Sequence, residues 1–377
     1  MSSISPNGEL VMLLRTTATR LILVLLILFL LVFVYVHYEA RVTDLENNKR
    51  NLEDLVVRMQ VQELESRKTS ENKESRPRED LVVIYNRVPK TASTSFMGVA
   101  YDLCKQNGFH VLHINVTGNM HVLTLANQAK FVQNVTHWDA MKPALYHGHM
   151  AYVEFSRFGV SQRPIYINLI RKPLDRLVSY YYFLRFGDDF RPHLVRRKHG
   201  DKMSFDDCVE LHQPDCDPDN MWLQIPFFCG HAAGCWEVGN KWALAEAKNN
   251  LLKHYMLVGI TEELPDFISL LESTLPQFFR GALAHYQNSN KSHLRKTTQK
   301  VEPSPETISI IKKSKVWQME NEFYEFAVEQ FHFSKRRAGV PAINNGPNAG
   351  VKDKTSDKAL QQAAVQQQFT YEKIRPK

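Results

Sequence analysis

The first clear pattern in the sequence is an unbroken apolar run near the amino terminus. Residues 21–36 contain no charged side chain, with Arg15 and Arg20 before the run and tyrosines at its far end. A helix rises about 1.5 Å per residue, so this run covers most of a hydrocarbon layer of roughly 30 Å. We expect a single membrane-spanning segment with a cytoplasmic amino terminus, because arginines before a span favour the cytoplasmic side.

Two other interpretations of this run are open on the sequence, a cleaved signal peptide and a buried core helix. Signal peptides have a shorter apolar stretch and a small-residue cleavage site, and none follows Val36. A core helix is rarely apolar on every face beside a charged stretch. Both arguments favour a membrane anchor with the rest of the chain on the luminal side.

The polar pattern after the apolar run predicts a stalk and a linker. Leu45, Leu52 and Met59 are spaced by seven residues, a short heptad pattern that favours self-association. Residues 66–80 contain no aliphatic or aromatic side chain and are typical of a linker. We expect a cytoplasmic tail at 1–20, a membrane-spanning segment at 21–38, a stalk at 39–80, a folded domain at 81–335 and, at 336–377, a low-complexity segment that ends in a strand-like stretch.

Two strand–loop–helix patterns predict an α/β domain. Residues 81–85 and 165–170 are short apolar runs, and helical patterns follow them to residue 105 and over 174–186. Strands that alternate with helices indicate a doubly wound parallel sheet. Ligands bind beyond the carboxyl ends of the strands in such sheets, so the residues after each strand are the candidates for chemistry.

The loop after the first strand is a candidate phosphate site. Residues 87–95 read RVPKTASTS and place Lys90 and several hydroxyl side chains at the start of a helix. Helix N-terminal N–H groups and the helix dipole favour an anion. The sequence lacks the GxxxxGK[ST] pattern of a Walker A loop, and an ordinary capped helix is the alternative. After the second strand, Arg171 and Ser179 are candidates for a second phosphate.

Two histidines, His147 and His149, lie two residues apart in the sequence YHGH. On an extended chain they face the same side. A metal pair or two ordinary hydrogen-bonded side chains would give the same pattern, but no carboxylate lies at an obvious metal-ligand spacing. We favour acid–base chemistry, since histidine is the natural proton acceptor from a hydroxyl group near neutral pH.

The charge of the chain indicates an anionic partner. It has 47 Lys and Arg against 40 Asp and Glu, a net charge of +7. The 44% hydrophobic and 23% charged residues exclude a collagen, a disordered acidic tail and a multi-spanning membrane protein. Basic segments at 185–202 and 291–300 could be ordinary solvated surface. Beside a phosphate-type site in a luminal protein, they favour an anionic polysaccharide over nucleic acid.

The cysteines and the glycosylation sequons agree with a luminal domain. Two close pairs predict the disulfides Cys208–Cys216 and Cys229–Cys235 in an oxidising compartment, with Cys104 left over. A four-cysteine zinc site is the alternative, but the sequence has no CxxC spacing. Sequons predict glycosylation at Asn115 and Asn134, whereas the sequon at Asn290 lies in a basic segment and is expected to be unmodified.

Several of these segments closely resemble the heparan sulfate 2-O-sulfotransferase family. They are YNRVPKTASTSF at 85–96, YHGH at 146–149, RLVSYYYFLRFGDD at 176–189, WLQIPFFCGH at 222–231, KSHLRKTT at 291–298 and YEKI at 371–374. The resemblance covers about 81–333. It implies a P-loop-like α/β fold and a Golgi type II membrane enzyme that moves a sulfuryl group from PAPS to the 2-hydroxyl of iduronate, less often glucuronate.

The resemblance also implies roles for individual residues. His149 would be the catalytic base, His147 a second essential histidine, and Lys90 a catalytic cation. The donor PAPS would be held by Lys90, Thr91, Ala92, Ser93, Thr94, Ser95, Arg171, Ser179, Tyr286, Ser292, Thr297 and Lys300. The saccharide would contact Arg87, Tyr101, His113, Tyr180, Arg191, Arg196 and Arg295. The family further implies a homotrimer, no metal, and a uronyl epimerase as a candidate partner.

Three other functions are open on the sequence. A uronyl 2-O-sulfotransferase acting on chondroitin or dermatan sulfate would share the donor site. A non-catalytic heparin-binding membrane protein would use the same basic segments. A nucleotide kinase is disfavoured, because the sequence lacks a Walker loop and an evident carboxylate for Mg²⁺.

Overall fold

The computed structural model describes residues 25–43, 80–114, 120–161, 163–188, 193–288, 297 and 299–339, and the backbone of 372–374. The chain divides into two compact units, residues 1–67 and 68–377. The described part of the first unit is one helix, α1 (Leu25–Thr43), whose large apolar side chains are exposed. Its length and composition are compatible with a single-pass membrane anchor. The predicted heptad positions lie outside the described residues.

The second unit is built on a parallel sheet with the strand order β5-β4-β1-β3-β2-β6. Its strands are β1 (Val82–Asn86), β2 (His110–Ile114), β3 (Ala144–Gly148), β4 (Ile165–Ile170), β5 (Tyr255–Ile260) and β6 (Glu372–Ile374). All neighbouring strands pair in parallel, and helices connect them. The predicted doubly wound parallel α/β fold is therefore confirmed.

Helices surround the sheet and account for most of the remaining described residues. They are α2 (Ser93–Asn107), α3 (Leu125–His137), α4 (Pro173–Phe186), α5 (Phe205–Glu210), α6 (Gln224–Cys229), α7 (Lys241–His254), α8 (Leu264–Thr274), α9 (Pro276–Phe279), α10 (Ala282–Asn288), α11 (Pro305–Lys312) and α12 (Lys315–Ala338). Several begin at sequence signals for helix starts. Ser204 and Asp207 form a capping box at α5, Ser314 caps α12, and Pro173 opens α4.

Aromatic side chains fill the core on which the strand ends rest. Phe96 of α2 lies 5.2 Å from Tyr85 of β1 and 5.3 Å from Phe267 of α8, measured between ring centroids. Phe228 of α6 lies 4.6 Å from Tyr255 of β5. Every residue of β1 is buried, because helices cover the central strand on both faces.

A buried polar cluster joins the three neighbouring strands β1, β4 and β5. The Asn168 side-chain amide donates to the Asn86 carbonyl at 2.9 Å, and the Tyr255 hydroxyl donates to Asn86 Oδ1 at 2.9 Å. Asn86 Nδ2 in turn donates to the Phe227 carbonyl at 3.2 Å. Buried amides must be paired to offset desolvation, so this cluster holds α6 against the carboxyl ends of β1 and β4.

Both predicted disulfides are present. Cys208 is bonded to Cys216 and Cys229 to Cys235, while Cys104 is buried and free. The zinc alternative is therefore wrong for these four cysteines.

The domain boundaries stay a prediction, but the structure shows where α12 ends and where the strand near the carboxyl terminus lies. Helix α12 continues to Ala338, three residues beyond the expected end of the domain at 335. Strand β6 then adds the chain terminus to the sheet beside β2, with Leu112 opposite Glu372. The strand-like character expected at the terminus thus corresponds to an edge strand.

The packing of β5 against α8 generates a stability prediction. A Cβ atom placed on Gly259 would lie 2.8 Å from Cβ of the buried Phe267, so alanine cannot fit without moving that helix. We expect Gly259→Ala to lower the free energy of unfolding by about 1–3 kcal/mol. Thermal unfolding measures the change, and Met256→Ala, at an exposed position on the same strand, is the control with a small effect. Equal melting temperatures for Gly259→Ala and the wild type would contradict this packing.

Candidate active site

The loop between β1 and α2 is shaped to receive an anion, and we name residues 87–92 the anion loop. Lys90 and Ala92 have left-handed backbone angles, with φ of 69° and 56°. Thr91 Oγ1 closes the turn by donating to the Val88 carbonyl at 2.9 Å. Left-handed non-glycine residues cost about 1–3 kcal/mol each and cluster at functional sites. Alternating backbone angles of this kind turn successive N–H groups toward one concave site.

Helix α2 begins directly at the anion loop, at Ser93, within the segment expected to be loop as far as residue 95. Ala92 occupies the N-cap position and provides no side-chain cap, so the backbone turn itself starts the helix. The first N–H groups of a helix have no partner within the helix. Those of Ser93, Thr94 and Ser95 are therefore available to an anion at the positive end of the helix dipole.

Two cations contact the same aromatic ring beside the anion loop. Lys90 Nζ lies 4.2 Å from the ring centroid of Phe183 on α4, and the Arg196 guanidinium lies 4.3 Å from it. Lys90 Nζ also donates to Thr297 Oγ1 at 3.4 Å, and Arg196 pairs with the buried Asp188 at 3.4 Å. One ring thus contacts both a predicted donor cation and a predicted saccharide cation.

The second predicted phosphate residue lies against the same loop. Arg171 follows β4, and its Nη1 donates to the Lys90 carbonyl at 3.4 Å. Ser179 is buried on α4, Tyr286 is half-buried on α10, and Lys300 pairs with Glu302 at 2.6 Å. Ser292 lies outside the described residues.

The sheet register brings His147 next to two predicted saccharide residues. His147 is opposite Tyr85 of β1 and His113 of β2. Tyr101 Oη lies 2.7 Å from His147 Nε2, and the His113 ring centroid lies 4.9 Å from that of His147. His147 is buried, and burial lowers its pKa well below the ordinary value, as do the nearby charges led by Arg87. It is therefore neutral near pH 7.

The glycine between the two histidines is required by a close approach of strands. A Cβ atom on Gly148 would lie 2.7 Å from the Ile114 carbonyl oxygen and 2.8 Å from Ile114 Cβ. Contacts this short do not occur, so only glycine lets β3 end beside β2. The glycine of YHGH thereby sets the positions of both imidazoles.

The hydrogen bonding of His149 defines its tautomer. Its Nδ1 lies 2.8 Å from the Arg87 carbonyl, which can only accept, so Nδ1 carries the proton and Nε2 carries the lone pair. The pKa of His149 is lowered to about 3, first by burial and then by the charge of Arg87, while the hydrogen bond to the Arg87 carbonyl raises it in part. His149 is half-buried, and its own carbonyl oxygen lies 3.1 Å from His121 Nδ1. A neutral imidazole in this tautomer can accept a proton from a hydroxyl group.

The remaining predicted saccharide residues partly surround these histidines. Arg87 Nη2 lies 3.5 Å from His113 Nε2, and Tyr180 projects from α4 with 42% of its surface exposed. Arg196 belongs to the basic loop, as we name residues 193–202. Arg191 and Arg295 lie outside the described residues.

Arg185 belongs to the basic segment predicted at 185–202, whose residues were expected to be solvated or to bind a ligand. Its role in the structure is a different one. Arg185 is buried, lies over the Tyr181 ring at 3.6 Å, and pairs with Asp201 at 2.8 Å and Asp215 at 3.0 Å. Lys198 also pairs with Asp215 at 3.1 Å. A fully buried guanidinium must be paired, so Arg185 attaches the basic loop to α4.

The other predicted positions are only partly described. Asn134 is exposed on α3, whereas Asn115 and Asn290 lie outside the described residues. Within the described residues, no group of three or more His, Cys, Asp or Glu side chains could hold a metal ion.

Three residues at this site had no predicted role. Phe183 carries the two cations, His121 contacts the His149 carbonyl, and Gln224 binds the Arg171 backbone. Phe183 and Gln224 lie inside the segments YYYF and WLQIPFF, which carried the family resemblance. Their side-chain types carry no charge, and this hid their connection to an anion site.

Comparison with known proteins adds an independent finding. The model of the sulfotransferase family matches residues 73–327. A Drosophila melanogaster protein named heparin sulfate O-sulfotransferase is 61% identical over 299 residues, which cover 79% of this chain and 80% of the relative. The Gallus gallus heparan sulfate 2-O-sulfotransferase 1 is 53% identical over 343 residues, covering 90% of this chain and 92% of the relative. The Homo sapiens protein of the same name is 52% identical over 347 residues, with the same coverage.

The family match covers the five strands β1–β5, the anion loop and both histidines of the YHGH segment. These matches extend over most of the chain and are not confined to short motifs. The chain therefore belongs to the sulfotransferase family of transferases, in the group of the heparan sulfate 2-O-sulfotransferases.

Proposed function

We propose that this protein transfers a sulfuryl group from PAPS to the 2-hydroxyl of iduronate, less often glucuronate, in heparan sulfate. The observation that carries the proposal is the hydrogen bond between His149 Nδ1 and the carbonyl of Arg87 in the anion loop, at 2.8 Å. This bond joins a neutral imidazole to the anion loop, and the proximity of the two supports the transfer of a sulfuryl group to a hydroxyl. The names of relatives 52–61% identical to this chain support the acceptor.

The residues around the anion loop fit a doubly phosphorylated donor. The loop offers converging N–H groups and the start of α2, and Lys90 and Arg171 add two full positive charges beside it. The donor would be held by Lys90, Thr91, Ala92, Ser93, Thr94, Ser95, Arg171, Ser179, Tyr286, Ser292, Thr297 and Lys300. PAPS supplies the sulfuryl group and a phosphate leaving group.

His149 acts as the general base. Its Nε2 accepts the proton of the sugar 2-hydroxyl as that oxygen forms its bond to sulfur and the bond from sulfur to the phosphate oxygen breaks. Lys90 and the N–H groups of α2 stabilise the negative charge that develops on the phosphate oxygen. Transfer of this kind depends mainly on in-line positioning and charge stabilisation. The burial of His147 and its contact with Tyr101 support a role for it in holding the acceptor side of the site.

A polyanionic acceptor fits the charges beside the base. The saccharide would contact Arg87, Tyr101, His113, Tyr180, Arg191, Arg196 and Arg295. The buried ion pairs of Arg185 hold the basic loop close to α4 and support this arrangement. A uronyl 2-O-sulfotransferase acting on dermatan or chondroitin sulfate would have the same base and donor loop, so acceptor assays distinguish the two.

The cellular setting follows from the same reasoning. We propose a single-pass type II protein of the Golgi membrane with its catalytic domain in the lumen and glycosylation at Asn115 and Asn134. Helix α1 supports a membrane-anchored protein. The two disulfides support an oxidising compartment. We also propose a homotrimer, with the terminal strand-like segment in the subunit contact, and a uronyl epimerase as a candidate partner.

The acceptor and the base are tested together with the full-length protein in detergent and radiolabelled PAPS. We expect label on the 2-O position of uronate residues in N-sulfated heparan, identified by disaccharide analysis. His149→Ala should lose nearly all of this activity and still bind heparin, because the basic residues are unchanged. Label on dermatan alone would overturn the acceptor proposal. Heparin binding by an inactive wild-type protein would indicate a binding module instead.

Lys90→Ala tests charge stabilisation at the leaving group. Removing one such group commonly reduces kcat about 100-fold or more, and we expect that reduction here at saturating PAPS. The matched control is Lys248→Ala on α7, where the lysine pairs with Glu322 at 2.7 Å away from the loop. A Lys90→Ala protein with the kcat of the control would show that this cation takes no part in the transfer.

The protonation of His149 is expected to respond to the donor. In the free protein its lowered pKa, about 3, keeps the imidazole neutral throughout the physiological range. The product PAP, which is PAPS without its sulfuryl group, brings negative charge to the anion loop. This charge favours the imidazolium and raises the pKa of His149. Nitrogen NMR of labelled histidines, assigned with His149→Ala, measures the titration with and without PAP. A titration curve that PAP leaves unmoved would separate this imidazole from the donor site.

A further inference from the structure

A single side chain holds the backbone of Arg171 at both of its hydrogen-bonding groups. Strand β4 ends at Ile170, its last residue paired with β5, so Arg171 lies beyond the sheet. The Arg171 N–H donates to Gln224 Oε1 at 2.9 Å, and Gln224 Nε2 donates to the Arg171 carbonyl at 3.0 Å. The carboxamide of Gln224 thus takes the place that a neighbouring strand would occupy.

Gln224 is itself held in one orientation by a buried carboxylate. Its Nε2 donates to Glu320 Oε2 at 3.3 Å, and Glu320 is fully buried on α12. Glu320 Oε1 accepts from the N–H groups of Leu223 and Ile225, at 2.9 Å and 3.1 Å. Because a carboxylate only accepts, it keeps Nε2 toward itself and Oε1 toward the Arg171 N–H. Burial raises the pKa of Glu320, and the charge of the buried Arg176 and the three N–H donors offset this rise in part.

The neighbours of Arg171 along the chain are held differently. The Thr261 hydroxyl donates to the Ile170 carbonyl at 2.9 Å, and the Lys172 N–H donates to Glu262 at 3.1 Å. Thr261 and Glu262 each make a single hydrogen bond to this backbone, and both residues lie in the turn after β5. Gln224 therefore connects Arg171 to α6 and α12, elements that contribute none of the predicted donor residues.

We infer that Gln224, oriented by Glu320, is a positioning residue for donor binding. It fixes the Arg171 backbone so that the guanidinium reaches the Lys90 carbonyl and presents its remaining N–H groups to an anionic group of the nucleotide. Gln224 influences donor binding through Arg171, because the Gln224 side chain is buried and its hydrogen bonds go to the Arg171 main chain. This inference rests on the proposed function, which makes Arg171 a donor ligand.

The test is PAP affinity in Gln224→Leu, which keeps the size of the side chain and removes its three hydrogen bonds. Calorimetry on the full-length protein should show PAP binding weakened about tenfold, as expected for losing buried hydrogen bonds. KM for PAPS should rise while kcat changes little, because Gln224 touches neither the base nor Lys90. Heparin affinity should be unchanged. An unaltered PAP affinity would overturn the inference.

Asn250→Leu is the matched control for lost buried hydrogen bonding. Asn250 is a buried amide whose Nδ2 donates to the carbonyls of Phe228 and Cys229 at the end of α6, at 3.0 Å and 3.2 Å. It touches the same helix but not Arg171. The melting temperatures of both variants should fall, and PAP affinity should fall only in Gln224→Leu. Equal losses of PAP affinity in both would indicate a general effect on α6 and overturn the inference.

A double-mutant cycle with Arg171→Ala tests the route of the effect. If Gln224 acts through the Arg171 guanidinium, Gln224→Leu should change PAP affinity little in the Arg171→Ala background. Additive losses would show that Gln224 acts on the nucleotide by another route and would contradict the inference.

Glu320→Gln covers the case in which Gln224→Leu does not fold. Its amide keeps the volume but must turn an N–H toward either Gln224 Nε2 or the α6 N–H groups, so the orientation of Gln224 is disturbed. We expect PAP affinity to fall several-fold with heparin affinity kept, and full PAP affinity would overturn the inference. Failure of the wild type to bind PAP would instead overturn the proposed function, which separates the two results.

Discussion

The parallel register of β1 and β3 is the constraint on which the site depends. Asn86 pairs with Gly148, so the next residues on the two strands, Arg87 and His149, leave the sheet side by side. The hydrogen bond from the imidazole to the Arg87 carbonyl follows from that register and defines the tautomer of His149. The same strand end begins the anion loop. A shift of one residue in the register would turn the histidines to the opposite face and separate base from loop.

The electrostatics of the site prepare it for anions. Positive potential is concentrated at the carboxyl end of the sheet by Lys90, Arg171, Arg196 and the start of α2. The Phe183 ring and Asp188 offset part of this positive charge. Such a concentration raises the local concentration of polyanions. Burial and the neighbouring arginine lower the pKa values of His147 and His149, so both imidazoles are neutral and add no further positive charge.

Local patterns predicted much of the fold and of the site. The second strand was expected at 165–170 and is β4 within those bounds, and both short disulfides formed as predicted. Arg87, Lys90, His149 and Arg171 lie after strands, where the topology of parallel sheets puts ligands, whereas His113 and His147 lie within strands. Arg185 and Gln224 were not predicted, because a buried arginine and a surface arginine look alike in a sequence, and an amide carries no charge pattern. Their roles depend on Asp201, Asp215 and Glu320, distant in the chain.

The sequence alone determined the α/β class, the apolar anchor candidate, the loop with its lysine and hydroxyl residues, and the pair of histidines, because each is encoded in residues close together along the chain. The tertiary structure decided which strands are neighbours and therefore which residues meet. Contacts such as that of His149 with Arg87, or of Gln224 with Arg171 and Glu320, join residues 53–96 positions apart. Their formation depends on strand order and helix packing, which no local pattern specifies.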